Sequence, residues 1–214
     1  MKTDTQLQQD VIAELKWEPS VNAAHIGVEV KDGIVTLAGH VDSYSEKWDA
    51  ERAAQRVSGV RALAVEMDVK LSTDNKRTDA DIARAAESVL QWVSYGPKCA
   101  IKVLVEDGWI TLSGEVTWHY QKTAAAAGVR YLLGVKGVSD QISIKPAKSA
   151  GTVKADIEAA LKRRAKSDIT VVVSGPDVTL SGKVLSWSER EIAGESAWGT
   201  SGVSNVTNNI TVAY

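Results

Sequence analysis

A chain of 214 residues with 44% hydrophobic and 24% charged content and a formal net charge of −2 has ordinary globular composition, which excludes an extended disordered chain and a strongly basic nucleic-acid binder. No stretch approaches the roughly 18 consecutive apolar residues of a membrane span. The one cysteine, Cys99, excludes an internal disulfide and a multi-cysteine metal site, and beside the apolar run from Ile101 to Val105 it reads as a buried inert thiol.

The opening Met1-Lys2-Thr3-Asp4-Thr5-Gln6 runs straight into helical sequence, with no apolar leader and no lipid-acceptor cysteine. The chain as written is therefore expected in the cytoplasm, and in the periplasm if a signal peptide has been removed. Leu7, Val11 and Leu15 recur every four residues and predict a helix, with Thr3 and Asp4 available as caps. Ile26, Val28 and Val30 then alternate with Gly27, Glu29 and Lys31. Asp32-Gly33 makes a turn, and Val35 and Leu37 alternate with Thr36 and Ala38, which predicts a hairpin. Ser43-Tyr44-Ser45-Glu46 is a Ser-x-x-Glu capping box opening a second helix. Its small residues Ala50, Ala53 and Ala54 allow close approach to a sheet. Gly59-Val60 is expected to end that helix through a left-handed glycine and to start a third strand carrying Leu63, Met67 and Val69.

The same order then returns twice. Val35-Thr36-Leu37-Ala38-Gly39-His40-Val41 recurs as Ile110-Thr111-Leu112-Ser113-Gly114-Glu115-Val116 and as Val178-Thr179-Leu180-Ser181-Gly182-Lys183-Val184. Gly59-Val60 recurs as Gly134-Val135 and Gly202-Val203, and the apolar comb as Val138, Ile142, Ile144 and Val206, Ile210, Val212. A register kept over this length predicts three tandem α-β-β-α-β modules, at 1–71, 77–146 and 150–214. The fold class is α/β (α+β), each module a three-stranded mixed sheet with two helices on one face. The other face, carrying Glu29, Thr36, Glu66 and Asp68 in the first module, is expected to be solvated. Glycines 39, 59, 114, 134, 182 and 202 (Gly39, Gly59, Gly114, Gly134, Gly182, Gly202) are read as backbone requirements rather than as a ligand cradle.

This pattern resembles the BON domain, through Val-x-Leu-x-Gly-x-Val, the later Gly-Val pair and the final apolar strand. The resemblance covers nearly the whole chain three times. It implies a two-helix, three-stranded sandwich of the kind found in osmotically inducible, secretin-associated and channel-associated proteins. It also implies contact with phospholipid or partner proteins, and it brings no catalytic residue, metal or cofactor.

Catalytic chemistry would need convergent groups. His25, His40 and His119 fall at three different places in the repeat, and their counterparts, such as Tyr44 and Trp187 for His119, do not preserve metal or acid-base capacity. All three are read as surface histidines. Two features rise above this background. The second module carries aromatics where its siblings do not, with Trp109 in the place of Ile34 and Asp177 and Trp118 in that of Ser43 and Ser186. Trp109, Trp118 and Tyr120 are therefore candidate partner contacts, with packing of Trp109 against a neighbouring module as the plainer expectation. The third module opens with Lys145, Lys148, Lys154, Lys162, Arg163, Arg164 and Lys166 against Asp156 and Glu158. Lys154, Lys162, Arg163, Arg164 and Lys166 are candidates for an anionic lipid surface or an acidic partner, against the plainer role of cations at a helix C-terminus. Nucleic acid is disfavoured, since the chain is net acidic and lacks aromatic-basic interleaving. Two functions follow from the sequence, a non-catalytic adaptor binding protein partners and a peripheral module on an anionic membrane surface.

Overall fold

The computed structural model describes residues 2–93, 100–145, 148–164 and 169–212; Cys99 and Lys166 lie outside these. In chain order the elements are α1 (Asp4–Trp17), β1 (Ile26–Lys31), β2 (Ile34–Val41), α2 (Tyr44–Arg56), β3 (Ala62–Val69), α3 (Asp79–Val93), β4 (Ala100–Glu106), β5 (Trp109–Val116), α4 (His119–Arg130), β6 (Gly137–Ile144), α5 (Ala150–Arg164), β7 (Ile169–Ser174), β8 (Asp177–Val184), α6 (Trp187–Trp198) and β9 (Asn205–Val212). Three mixed sheets result, in the orders β1-β2-β3, β4-β5-β6 and β7-β8-β9. In the first, β1 and β2 are antiparallel with Val28 opposite Leu37, and β2 and β3 are parallel with Leu37 opposite Val65. The third repeats this with Val171 opposite Leu180 and Leu180 opposite Asn208.

Period-2 alternation sends one side of each middle strand inward. Val35, Leu37 and Val41 join Leu7, Val11 and Leu15 of α1 and Ala50, Ala53 and Ala54 of α2 in one core. Val178, Leu180 and Val184 join Val153, Ile157 and Leu161 of α5 in another. Ile110, Leu112, Val116 and Ile142 are buried at the same repeat positions of the middle module. The opposite face is solvated, with Glu29, Glu66 and Asp68 exposed.

The motif glycine has a steric cause. Gly39 sits at φ +131°, and a Cβ there would overlap the carbonyl oxygen of His25, just before the neighbouring strand. Gly59, Gly134 and Gly202 also hold positive φ, at +108°, +89° and +82°. Their position differs from expectation, however. α2 ends at Arg56 with Val57 as its cap, and β3 begins only at Ala62, so Gly59 bends the connecting turn rather than capping the helix.

Asp4 clamps a turn rather than capping the helix. Thr3 is the N-cap of α1, with Gln6 bonding back to it. The Asp4 carboxylate instead accepts from the amides of Asp32 and Gly33 at 2.8 and 3.1 Å, clamping the hairpin turn. Asp79 does the same for Asp107 and Gly108, both at 2.9 Å. The third module has Ala150 in that place and a Ser174-Gly175-Pro176-Asp177 turn, so loss of the clamp and change of the turn go together.

By internal packing the chain divides into two compact units. One is Met1–Ala86 with Val105–Ile110 and Val129–Val138; the other is Glu87–Leu104 with Thr111–Gly128 and Ser139–Tyr214. The middle module contributes to both.

Candidate functional site

Within the second unit, α5 buries Val153, Ile157 and Leu161, which turns Ala159, Ala160, Arg163 and Arg164 toward an open cleft of about 360 Å³. Alanines on this side leave the space that larger side chains would fill. The far wall is the end of α6 and its following turn, with Ser196, Thr200 and Ser201, and the rim carries Trp118 from the middle module. Two hydroxyls of that wall are bonded locally, and the wall also carries Glu195. The Ser196 hydroxyl donates to the Ile192 carbonyl at 2.7 Å, and the Thr200 hydroxyl to the Ser196 carbonyl at 3.1 Å. The lining thus combines cations and the indole with the carboxylates of Asp156 and Glu195.

The candidate cations separate here. Lys154 is held by Glu158 at 3.7 Å, one helical turn along. Lys148, also on the cleft, is held by Asp156 at 2.6 Å. Lys162, Arg163 and Arg164 are exposed in the last turn of α5, and among the described residues none has an ion-pair partner. Arg163 and Arg164 line the cleft; Lys162 does not. Unspent guanidiniums beside an indole suit an anionic group carried on an apolar stem, through charge-assisted hydrogen bonds and stacking.

Of the aromatic candidates, Trp118 and Tyr120 come together, their ring centroids 6.3 Å apart, with Tyr120 the more exposed. Trp109 belongs to the first unit and is 53% exposed. Its indole lies over Gly137, where a Cβ would overlap the ring. A glycine of its own module thus makes room for the ring.

His119 requires a further correction. It is half-buried against Trp198, ring centroids 4.0 Å apart, and its Nδ1 is buried without a hydrogen-bond partner among the described residues. Burial, with the charge of Lys122 adding to it, holds its pKa below the usual histidine range, and Asp140 opposes the shift. Comparison of histidine counterparts missed this, because a stacking position is kept by ring shape rather than by acid-base capacity. His25, just before β1, and His40 of β2 meet as well, stacked at 4.6 Å. Among the described residues, no three His, Cys, Asp or Glu side chains are grouped to hold a metal ion, and no helix is long and apolar enough to cross a membrane.

Comparison with known proteins adds the following. The BON domain model matches residues 3–70, 78–146 and 149–214. Osmotically-inducible protein Y of Escherichia coli (strain K12) is 26% identical over 146 residues, 66% of this chain and 73% of that protein. Among solved structures, the C-terminal domain of CdsD, a structural protein of the Type III secretion system of Chlamydia trachomatis, aligns over 100% of both chains at 13% identity with a TM-score of 0.29. The periplasmic domain of the inner membrane protein PrgH from S. typhimurium covers 89% of this chain and 94% of its own at 14% identity, with a TM-score of 0.24. Superpositions at those scores bear on neither fold nor function. The family model, by contrast, accounts for nearly every element from α1 to β9, and with its three matches the chain belongs to the BON domain family.

Proposed function

We propose that the chain is a non-catalytic binding protein of the osmotic-stress type, an adaptor whose modules at 1–71, 77–146 and 150–214 display contact surfaces for protein partners. The name of the Escherichia coli relative supports the stress setting. The observation that carries the binding role is the meeting of Arg163 and Arg164 with Trp118 in one cleft. A concave site of this size fits a protruding acidic segment with an apolar side chain, in which an aromatic and arginine anchor supplies most of the affinity.

A second reading is favoured by one feature. Lys162, Arg163 and Arg164 are consecutive and exposed at the end of α5, and each cation near an anionic bilayer contributes roughly 1 kcal/mol, screened beyond about 8 Å at physiological salt. Co-sedimentation with phosphatidylcholine and with phosphatidylglycerol vesicles, at low and physiological salt, separates the two. The adaptor reading expects no binding to either vesicle by the wild type or by Arg163→Gln/Arg164→Gln. Salt-sensitive binding to the anionic vesicle that the variant loses would replace the adaptor with a peripheral membrane module.

A further inference from the structure

Two junctions within the chain use the same pair of faces. At one, Tyr44 at the start of α2 lies beside the Val138 backbone, and Trp48 one turn later carries the guanidinium of Arg130, the last residue of α4, at 3.5 Å from its ring centroid. At the other, the Thr117 carbonyl just before α4 accepts from the Gly202 amide at 2.9 Å, and His119 stacks on Trp198, the last residue of α6. The repeat set by Gly59, Gly134 and Gly202 makes Tyr44 and His119 one position and Arg130 and Trp198 another. The start of one module's second helix thus meets the end of the next module's second helix and the turn after it.

A contact between two different faces leaves one face of each kind unmatched at the ends of the series. Burial reports both. At the start of α6, Leu185 and Trp187 are 80% and 61% exposed, whereas Tyr44 and His119, in the place of Trp187, are half-buried. After α2, Gly59 is exposed, whereas its counterparts Gly134 and Gly202 are both buried; one place earlier Ser58 and Leu133 are exposed and Ser201 is buried at 3%. Gln55, in the place of Arg130 and Trp198, is also exposed.

We infer that these two faces are the halves of a third junction made between copies of this chain, with Leu185 and Trp187 of one copy seated against the end of α2 and the Gly59 turn of another. The occupant is a second copy because the chain's own surfaces already make this contact twice. The association is head to tail, so each copy uses both faces on different neighbours. It does not involve Arg163 or Arg164 and goes beyond the binding role proposed for the cleft.

Sedimentation velocity of the full chain from micromolar to millimolar concentration tests this, alongside a donor-face variant, Leu185→Asp/Trp187→Ser, and an acceptor-face variant, Gln55→Glu/Ser58→Arg. All four positions are exposed, and circular dichroism with thermal melting confirms the fold. The wild type gains mass with concentration, and each variant weakens self-association by about thirty-fold or more, as loss of a central tryptophan anchor does. An equimolar mixture of the two variants recovers a dimer and nothing larger, since only one intact pair of faces is then available. A wild type that stays monomeric throughout, variants that assemble like the wild type, or a mixture that stays monomeric each overturns the inference. Arg163→Gln/Arg164→Gln associates as the wild type does, which separates failure here from failure of the cleft's binding role.

Discussion

The guanidinium of Arg130 lies over the indole of Trp48 at 3.5 Å from the ring centroid, and its Nε is buried without a hydrogen-bond partner among the described residues. The ring face therefore supplies much of the compensation for that half-buried guanidinium, where an interaction of this kind is worth up to about 2 kcal/mol. Arg52 approaches the same ring at 4.7 Å.

Removing the ring should leave the Arg130 charge uncompensated. Trp48→Ala is expected to lower stability by about 2 to 3 kcal/mol, and Trp48→Phe, which keeps a weaker face, by about half as much. Urea unfolding of the three proteins measures this. Equal loss in both variants would place the contribution in packing volume rather than in the cation over the ring.

Glu46 is buried, and its carboxylate accepts from the Asn22 and Asp42 amides at 2.7 and 2.9 Å. This corrects the capping-box reading: the Ser43 hydroxyl takes the Glu46 amide, but the return bond goes to the residue before the cap and to a distant loop. Glu189 makes the same return to Leu185 at 3.0 Å, and Gln121, in the module that lacks the motif, accepts from Thr117 and Trp118. An amide oxygen therefore suffices. Glu46→Gln should change stability by less than about 1 kcal/mol. Glu46→Ala, which strands two amides, should cost about 2 to 4 kcal/mol, and thermal melts compare the two.

His119 gives a pH dependence of known sign. Its folded pKa is below the ordinary value of 6.5, so the unfolded chain takes up the proton first as pH falls. The stabilisation is present above about pH 6.5 and is lost as pH drops through that value and on through the folded pKa. Melting temperatures between about pH 8 and pH 5 should therefore fall more steeply for the wild type than for His119→Phe, which keeps a ring against Trp198. Parallel slopes would contradict the burial of this imidazole.

Much of the fold is legible because it is written three times. Val35, Leu37 and Gly39 recur in register, and alternation assigns their faces without reference to anything distant. The Asp4 clamp escaped that reading because its partners lie 28 and 29 residues away, although Asp4 and Asp79 against Ala150, alongside the altered third turn, carried the signal. The site was harder to read. Trp118 and the pair Arg163 and Arg164 stand in different modules, and a repeat gives the inside of a module while saying nothing of what faces what between modules. The stacking position of His119 was visible only as Tyr44 and Trp187, three rings in one place.

The most direct test of the binding role is photo-crosslinking in the source cell from within the cleft, with Ala160→p-benzoylphenylalanine and with Ala155→p-benzoylphenylalanine on the exposed surface of the same helix as control. The account predicts an adduct to a distinct protein from position 160 and not from 155, lost when Arg163→Gln/Arg164→Gln is added. The same adducts from both positions, or none from position 160, would contradict it.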